Sequence, residues 1–501
     1  MIETLENSPK KKLISIISDQ KTEIERLNHQ IKYFQKIVYG PKKETHKTIV
    51  HPSQGELPFT EKVDLDLKQD QERININYSR NKANRKRTDF SKFELPADLE
   101  EVVVIIEPEH VPEGSVKIDE ERTELLACLP AKFYKKVIIR PKYGLPGGEG
   151  VIIGQLPSRI IPGGKVDESF LRMILIDKYI FHMPLYRQLI KYAQMGVKIS
   201  DATIGDWTAK TIIMLNFLYE RLIVRIRGSN YLQADETTVK VLDKKTKGKT
   251  HLGYYWVYHA VKEKVVVFNY QPGRDHGAPM ELLAGFEGDL QTDGFSAYTT
   301  LINKQSDIDL VGCMAHSRRH YFDAQDYDNV KSVWMLDKLQ ELYAIERIAR
   351  EGNYTDDERL ALRQEKSIPI LNVMKPWVDE QIEIDGTTNP LTKALRYMST
   401  RWEKLTRFSN DGKLEIDNNF IENAIRPIAL GRRNWLFAGS TPAAQRGGVI
   451  YSLFATCKLN GIDPDKWLLE VLQKLPDTKQ SELDTLLPLP ENAHFARIIQ
   501  K

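Results

Sequence analysis

Three consecutive β-strand candidates begin near Tyr231, and from there the chain alternates strands with helices. The runs LQADETTVKVL, LGYYWVYHAV and KVVVFNYQ are rich in Val, Thr and aromatic residues, which is strand composition. DHGAPMELLAGF then has a helical pattern, and GDLQTDGFSAYTTL is typical of a strand end that leads into a helix. Strands that first follow one another and then alternate with helices predict a mixed α/β sheet.

Acidic residues occur at two strand positions of this region. Asp235 and Glu236 stand together inside the first strand, and because alternate side chains point to opposite faces they cannot serve the same site. Asp293 follows a later strand, where Gly294 permits a sharp exit and the carboxylate would project at the rim of the sheet. Binding groups commonly lie at such a rim.

A third acid, Glu422, lies in EIDNNFIENAIRP, about one turn into a helix that Asp417 or Asn418 could cap. Asn418, Glu422 and Arg426 are spaced so that they share one helical face. Pro427 is expected to limit or kink the helix directly afterwards. Two aspartates and this glutamate could hold two Mg²⁺ ions about 4 Å apart for phosphoryl chemistry. The ordinary alternative is that each acid is a surface charge or a helix cap.

The rest of the chain predicts several further units. Its 501 residues are too many for one ordinary core. Apolar residues between Leu13 and Val38 fall at heptad spacing, which predicts a short coiled coil and self-association or, alternatively, an amphipathic helix packed on its own domain. A helix, a turn at Gly196 and a second helix capped by Ser200 form a helix-turn-helix outline, which in many proteins never touches DNA.

Composition excludes several classes of protein. Hydrophobic residues make up 41% and charged residues 28% of the chain, as in soluble globular proteins. No apolar run approaches a membrane span and the N-terminus lacks an apolar signal core, so we expect a cytoplasmic protein without membrane contact. The three cysteines lie far apart, which argues against a disulfide framework or a four-cysteine zinc site.

Five segments together resemble the transposases of the insertion-sequence sixty-six family, the TnpC type with a DDE triad. They are ADETTVKVLD, LQTDGFSAY, CMAHSRRHYFDA, LEIDNNFIENAIRPIALGRRNWLFAGS and YSLFATCKLNGIDP, and KYIFHMPLYRQ precedes them. The resemblance implies that Asp235, Asp293 and Glu422 are the catalytic, metal-binding triad of an RNase H-like domain. It further implies a leucine zipper, a DNA-binding helix-turn-helix and a zinc segment, although Cys128 stands alone where relatives have cysteine pairs.

The predicted fold class is therefore α/β, an RNase H-like mixed sheet with a helical insertion. The predicted units are a coiled coil (1–40), a basic linker (41–98), a small β-rich unit (99–164), a helix-turn-helix region (165–228), the catalytic domain (229–440, with the insertion at about 325–410) and a C-terminal helical element (441–501).

The predicted site extends beyond the triad. Candidate DNA-phosphate contacts are basic residues of the linker and basic residues near the three acids. They are Arg85, Lys86, Arg87, Arg318, Arg319, Arg426, Arg432 and Arg433. His316, Asn418 and Asn419 are expected to support the acids, while Cys313 and His320 are not expected to hold zinc. The expected cofactor is a pair of Mg²⁺ ions, with Mn²⁺ as a substitute.

The resemblance predicts a bacterial, DNA-associated enzyme that cleaves its element's ends and transfers the strand to target DNA. Expected partners are DNA, further copies of the chain through the coiled coil, and small accessory proteins. Two alternatives stay open at this point. One is an RNase H-like nuclease or resolvase that hydrolyses DNA without strand transfer. The other is a non-catalytic DNA-binding regulator, against which three acids beside phosphates argue because they would repel DNA unless metals are bound.

Overall fold

The computed structural model describes residues 133–134, 142–144, 151–153, 158–243, 248–274, 277–303, 307–384 and 388–492. Three expectations fall outside the described residues: the coiled coil of 1–40, the linker of 41–98 with Arg85, Lys86 and Arg87, and most of the β-rich unit of 99–164. Of that unit, the structure describes an antiparallel pair of short strands, β1 (Lys142–Gly144) and β2 (Val151–Ile153).

A five-stranded mixed sheet organises the described chain, which confirms the mixed α/β prediction. Its strands are β3 (Tyr231–Leu242), β4 (Thr250–Ala260), β5 (Val265–Gln271), β6 (Gly288–Gln291) and β7 (Ile308–Val311). Their spatial order is β5-β4-β3-β6-β7. The first three strands pair antiparallel, and β6 and β7 then add parallel to β3. The short helices α4 (Gly277–Leu282) and α5 (Ser296–Ile302) lie in the crossovers that parallel pairing requires.

The edge strand β5 is covered by helix α13 (Thr441–Leu459). The hydroxyl of Ser452 accepts the Phe268 N–H at 2.8 Å, and that of Thr456 accepts the Val266 N–H at 3.2 Å. An uncovered row of N–H groups would invite pairing with another chain, so these hydroxyls close the edge. The helix comes this close because Gly448 faces the strand: a Cβ there would lie 2.5 Å from the Phe268 carbonyl oxygen.

Three helices precede the sheet: α1 (Glu168–Tyr179), α2 (Leu185–Gln194) and α3 (Asp201–Arg227). The Ser200 hydroxyl accepts the Thr203 N–H at 3.1 Å, which confirms the predicted cap. Helices α1 and α2 are separate because Pro184 lacks an N–H and disfavours helix in the preceding residue. Gly196, at φ 84°, turns the chain between α2 and α3. The order helix, turn, helix agrees with the sequence, and its use on DNA stays a prediction.

Helix α3 packs into the same core as the sheet. Its side chains Leu215, Leu218 and Leu222 are fully buried, in one apolar cluster with Phe268 of β5 and Tyr451 of α13. The hydroxyl of Tyr219 also donates to the Phe268 carbonyl oxygen. Residues on both sides of the expected boundary near 228 therefore contribute to one continuous core.

Between α6 (Met314–Ala324) and residue 410, the region where the sequence predicts an insertion at about 325–410, the described chain is helical apart from short connections. Its helices are α7 (Asn329–Glu351), α8 (Asp356–Leu362), a π-helical turn (Arg363–Ser367), α9 (Ile368–Ile384), α10 (Pro390–Thr400), α11 (Trp402–Thr406) and a 3₁₀ turn (Arg407–Asn410). They share an apolar cluster that includes Met335, Leu342, Met374 and Leu395, and this cluster extends to Tyr231 of β3 and Val311 of β7.

A fully buried arginine ties the insertion to the chain that follows it. Arg363 forms an ion pair with Glu346 at 2.7 Å and donates to the carbonyl oxygens of Phe408, Asp411 and Leu414. Because a buried guanidinium is tolerated only when its donors are satisfied, this cluster fixes the path of residues 408–414. That segment leads into helix α12 (Asn419–Trp435).

The described part of the C-terminal element, residues 441–492, consists of helices, 3₁₀ turns and short connections. After α13 come α14 (Pro464–Lys474) and 3₁₀ turns that reach Leu486. The buried Trp467 donates its indole N–H to the Leu486 carbonyl oxygen at 3.0 Å, which fastens the turns to α14. Among the described helices, none combines the length and the apolar character needed to cross a membrane.

The close approach of α13 to β5 can be tested with two glycine substitutions. We predict that Gly448→Ala lowers the free energy of unfolding by about 1–3 kcal/mol, because the new methyl overlaps the Phe268 carbonyl. The matched control is Gly205→Ala in α3, where no atom lies within 4 Å of the added Cβ. That change should stabilise by about 0.5–1 kcal/mol. Urea unfolding measures both, and equal effects of the two substitutions would contradict the account.

Candidate active site

Asp235 lies in the middle of β3, paired with Val257 of β4. Its carboxylate Oδ1 accepts the N–H of Glu236 at 2.7 Å, and the residue is partly buried. Glu236 is paired with Trp256 on the opposite face, as strand alternation predicts. Asp235 therefore faces the side of the sheet on which Gln233 also lies.

Asp293 follows β6 after a single intervening residue. Its Oδ1 accepts the Phe295 N–H at 2.9 Å, and Gly294, at φ 91°, allows the sharp exit expected from the sequence. Strands β3 and β6 pair in parallel with Gln233 opposite Gln291. Asp235 and Asp293 each stand two residues beyond a member of this pair, so the parallel register brings the two carboxylates to the same end of the site.

Glu422 lies in the first turn of α12, which packs on β3 and β4. Its Oε1 is 4.0 Å from Nε2 of His316, a residue of α6. The sequence predicts that Pro427 limits or kinks this helix; the first alternative is wrong, because α12 continues to Trp435. Pro427 removes the hydrogen bond to the carbonyl of residue 423, and Asn423 lies on the exposed side where water can replace it.

The pKa of Asp235 reflects both its burial and the other acids near it. Burial is the largest cause that raises the pKa of the Asp235 carboxyl to about 8, and the negative charge of Glu236 is the next. The carboxylates of Asp293 and Glu422 raise this pKa further. The charged form of Asp235 is therefore costly until a cation offsets the surrounding negative charge.

The donor set suits a hard divalent cation that completes its shell elsewhere. In the parts of the chain that the structure describes, no three His, Cys, Asp or Glu side chains form a ready-made metal site. Asp235, Asp293 and Glu422 are thus not a closed cage. Mg²⁺ favours carboxylate oxygens, keeps several waters and takes substrate phosphates as ligands, so an open set of acids fits it better than Zn²⁺.

A buried network of side-chain amides, which the sequence reasoning missed, connects the two acidic strands. Gln233 Nε2 donates to the side-chain oxygen Oε1 of Gln291 at 2.9 Å, and the Tyr231 hydroxyl donates to the same oxygen at 2.6 Å. All three side chains are fully buried. Their bonds join β3 to β6 directly beneath the positions that carry Asp235 and Asp293.

The same amides hold the segment that enters α12. Gln233 donates to the Asp417 carbonyl oxygen at 3.0 Å, and Gln291 donates to that of Glu415 at 2.8 Å. The Glu415 N–H in turn donates to the Tyr231 hydroxyl at 3.1 Å. All three acid-bearing elements are therefore linked through one set of buried hydrogen bonds.

Glu236 stays close to the site although it lies on the other face. Its carboxylate is 6% exposed and accepts from Nε of Arg274 at 2.8 Å. The Arg274 guanidinium also lies 3.8 Å above the Phe295 ring. Burial and the charge of Asp293 raise the Glu236 pKa, and Arg274 opposes them. Glu236 and Arg274 thus brace the turn that presents Asp293, a role that no sequence motif indicated.

The residues expected to support the acids differ in their contacts. His316 approaches Glu422, as described above, and its buried Nδ1 has no partner among the described residues. Asn418 is fully buried before α12, and its amide group likewise has no hydrogen-bond partner in the described chain. Asn419 instead donates to the Asp417 carboxylate at 2.7 Å, which stabilises the helix start. Cys313 is buried at the start of α6.

The candidate arginines fall into two groups. Arg432 donates to the Thr238 hydroxyl at 2.7 Å and to its carbonyl oxygen, so it fastens α12 to β3. The others leave their charge accessible: Arg319, Arg426 and Arg433 are exposed and Arg318 is partly buried.

Comparisons with known proteins cover nearly the whole chain. The family model described as "Transposase IS66 family" matches residues 163–446, "IS66 C-terminal element" matches 452–489, and "Transposase C of IS166 homeodomain" matches 26–104. The chain is 33% identical over 488 residues to "Uncharacterized protein y4qI" of Sinorhizobium fredii (strain NBRC 101917 / NGR234), which covers 93% of this chain and 88% of that protein. It is 30% identical over 489 residues to "Uncharacterized protein y4jD" of the same strain, at 92% and 94% coverage.

The raised pKa of Asp235 predicts a pH-dependent effect of Asp235→Asn in the metal-free protein. Native Asp235 keeps its proton up to about pH 8, whereas an unfolded aspartate releases it near pH 4. The native state thus binds more protons in this window, and wild-type stability falls as pH rises. The asparagine does not titrate. Its stability advantage over the wild type should grow by up to about 1.4 kcal/mol per pH unit between pH 5 and 8.

Urea unfolding in the presence of a chelator measures this difference. Asp337→Asn, the same chemical change at an exposed position of α7, is the matched control for the loss of a carboxylate away from the site. A constant difference for Asp235→Asn would contradict the raised pKa.

Proposed function

Because this chain belongs to the IS66 transposase family, we propose that it cleaves DNA at the ends of its element and joins the freed 3′-hydroxyl to target DNA. Asp235, Asp293 and Glu422 carry this chemistry in the proposal. The observation that supports it most is the placement of the other two acids near Asp235: burial and then Glu236 are the main causes of its raised pKa, and the carboxylates of Asp293 and Glu422 lie near enough to raise it further. Acids so far apart in sequence have little structural reason to meet unless a cation or phosphate binds between them.

The arrangement of the sheet supports an RNase H-like core. Three antiparallel strands are followed by two parallel ones, and the first strand occupies the middle of the order β5-β4-β3-β6-β7. Asp235 lies on the central strand β3, and Asp293 follows its parallel neighbour β6. Glu422 lies on helix α12, which packs on β3 and β4. A sheet of this order with a helical insertion before the last acid is what the family resemblance implies.

The cofactor in this proposal is Mg²⁺, with two ions and with Mn²⁺ as a substitute. When bound, such ions supply Lewis-acid stabilisation of the attacking and leaving oxygens. Asp235 and Asp293 would hold them from the sheet, and Glu422 would complete the set from α12. His316 lies near enough to orient Glu422, and the buried amides fix the strands beneath.

The remaining residues bind and orient DNA. Exposed Arg319, Arg426 and Arg433 lie on the helices that carry His316 and Glu422, where they can neutralise backbone phosphates. We further propose that the helices of 165–228 recognise the element's ends. Association of copies through the segment 1–40, cooperation with small accessory proteins and location with DNA in the bacterial cytoplasm belong to the same proposal.

The decisive experiment is divalent-dependent cleavage of labelled DNA that carries the element's end. We predict that Asp293→Asn lowers the cleavage rate on the order of a thousandfold, because a missing metal ligand removes several kcal/mol of transition-state stabilisation. Asp337→Asn, the same chemical change at an exposed position of α7, should leave the rate unchanged. Joined products would identify a transposase, whereas hydrolysis alone would identify a nuclease.

Two outcomes would contradict the proposal. Cleavage that survives Asp293→Asn would mean that the carboxylates are assigned wrongly. Tight binding without cleavage, even with accessory proteins present, would identify a DNA-binding regulator.

A further inference from the structure

We propose that a basic recess beside Asp293 binds a phosphate group of the DNA strand that is cut. This phosphate is the one next to the phosphate at which cleavage takes place. The inference rests on the proposed function, because it assigns part of the insertion to holding that strand. The basic recess is a cavity of about 210 Å³ between the end of β6 and helices α10 and α11, and its lining includes Asp293, Gly294, Thr299, Tyr397, Arg401 and Lys404.

The guanidinium of Arg401 is held in place before any ligand arrives. It lies 4.4 Å from the centre of the Tyr397 ring. Gly294 lacks a side chain and so leaves room for this guanidinium, because a Cβ at Gly294 would come within 2.7 Å of the Arg401 Nε. A planar fork of donors fixed in this way suits a phosphate group, which it can contact through two parallel hydrogen bonds.

The charges of the recess lack partners that other arginines of the insertion have. Arg359 and Arg363 pair with Glu346, and Arg407 pairs with Asp289. Within the described residues no such ion pair involves Arg401 or Lys404, although both are partly buried. Arg401 contacts the Tyr397 ring and donates to the Thr400 hydroxyl at 3.2 Å, but neither contact supplies a negative charge, so the recess is suited to a bound anion.

Tyr397, which lines the basic recess, connects it to the candidate active site. The Tyr397 hydroxyl donates to the Asp293 carbonyl oxygen at 2.8 Å, and the His320 ring lies against the Tyr397 ring at a tilt of 43°, with 4.5 Å between the ring centroids. An anion held by Arg401 would therefore sit beside the carboxylate of Asp293.

The size of the recess favours a nucleotide unit of a strand over a free anion. Its volume equals that of about seven waters at about 30 Å³ each. A phosphate group alone would leave much of this space open, whereas the attached sugar would fill it. We therefore assign the recess to a phosphodiester of the substrate strand.

The test combines Arg401→Gln with DNA in which single phosphates near the cut are replaced by uncharged methylphosphonates. The probe is a duplex that carries the element's end. We expect one phosphate whose neutralisation weakens binding to the wild type but not to Arg401→Gln, because both changes remove the same contact. The slope of log K against log salt should become shallower by about 0.9 in the variant.

The controls separate charge from structure. Arg396→Gln, on the exposed side of the same helix and outside the recess, should retain the coupling to that phosphate. Arg401→Lys keeps the charge and should largely restore the salt slope, whereas a purely structural role would not be restored. Lys404→Gln should lower the slope in the same way as Arg401→Gln.

Each outcome bears on one proposal or on both. Additive losses of binding at every phosphate would overturn the recess while leaving the catalytic proposal intact. Coupling at one phosphate in a protein that never cleaves would support the recess and contradict the catalytic proposal. Absence of DNA binding would overturn both. Inorganic phosphate that binds to the wild type but not to Arg401→Gln, without coupling on DNA, would assign the recess to a free anion instead.

Discussion

The geometry of the candidate site depends on the buried hydrogen bond between the side chains of Gln233 and Gln291. This bond aligns β3 with β6 two residues before Asp235 and Asp293. The side-chain amides of Gln233 and Gln291 also donate to the carbonyl oxygens of Asp417 and Glu415, which hold the backbone that enters α12. Gln233 Oε1 has no hydrogen-bond partner in the described chain, but the Gln233 Nε2 and both polar groups of the Gln291 amide are bonded, and losing one partner would leave further buried groups unsatisfied. The network therefore favours a single alignment of β3, β6 and α12 and disfavours neighbouring ones.

The carboxylates of the candidate site lower the stability of the folded protein. Asp235, with its raised pKa, lies among other acids in a partly buried position, which costs free energy in the absence of a cation. The surrounding elements offset the cost: α13 closes the edge of the sheet, and Arg363 fixes the chain that leads to α12. The insertion thus has a structural task at one end, in the Arg363 cluster, and in our proposal a DNA-binding task at the other, in the basic recess.

Local patterns in the sequence were enough to predict the strands, the helical insertion, the Ser200 cap and the alternation that separates Asp235 from Glu236. These features follow from neighbouring residues. The amide network could not be predicted, because Gln233 and Gln291 become partners only through the parallel register of β3 and β6. Pro427 misled for a related reason, since the penalty of a proline depends on whether the freed carbonyl is exposed. The proposal that the three acids act together came from the family resemblance, because spacing alone does not indicate which distant carboxylates meet.

The central claim is that Asp235, Asp293 and Glu422 bind divalent metal together. The most direct measurement is Mn²⁺ binding followed by electron paramagnetic resonance, in the wild type and in Asp235→Asn, Asp293→Asn and Glu422→Gln, each with the DNA duplex present. The account predicts one class of bound Mn²⁺ that all three substitutions weaken strongly, with Asp337→Asn unchanged. Bound Mn²⁺ that persists unaltered in any one of the three would contradict a shared site.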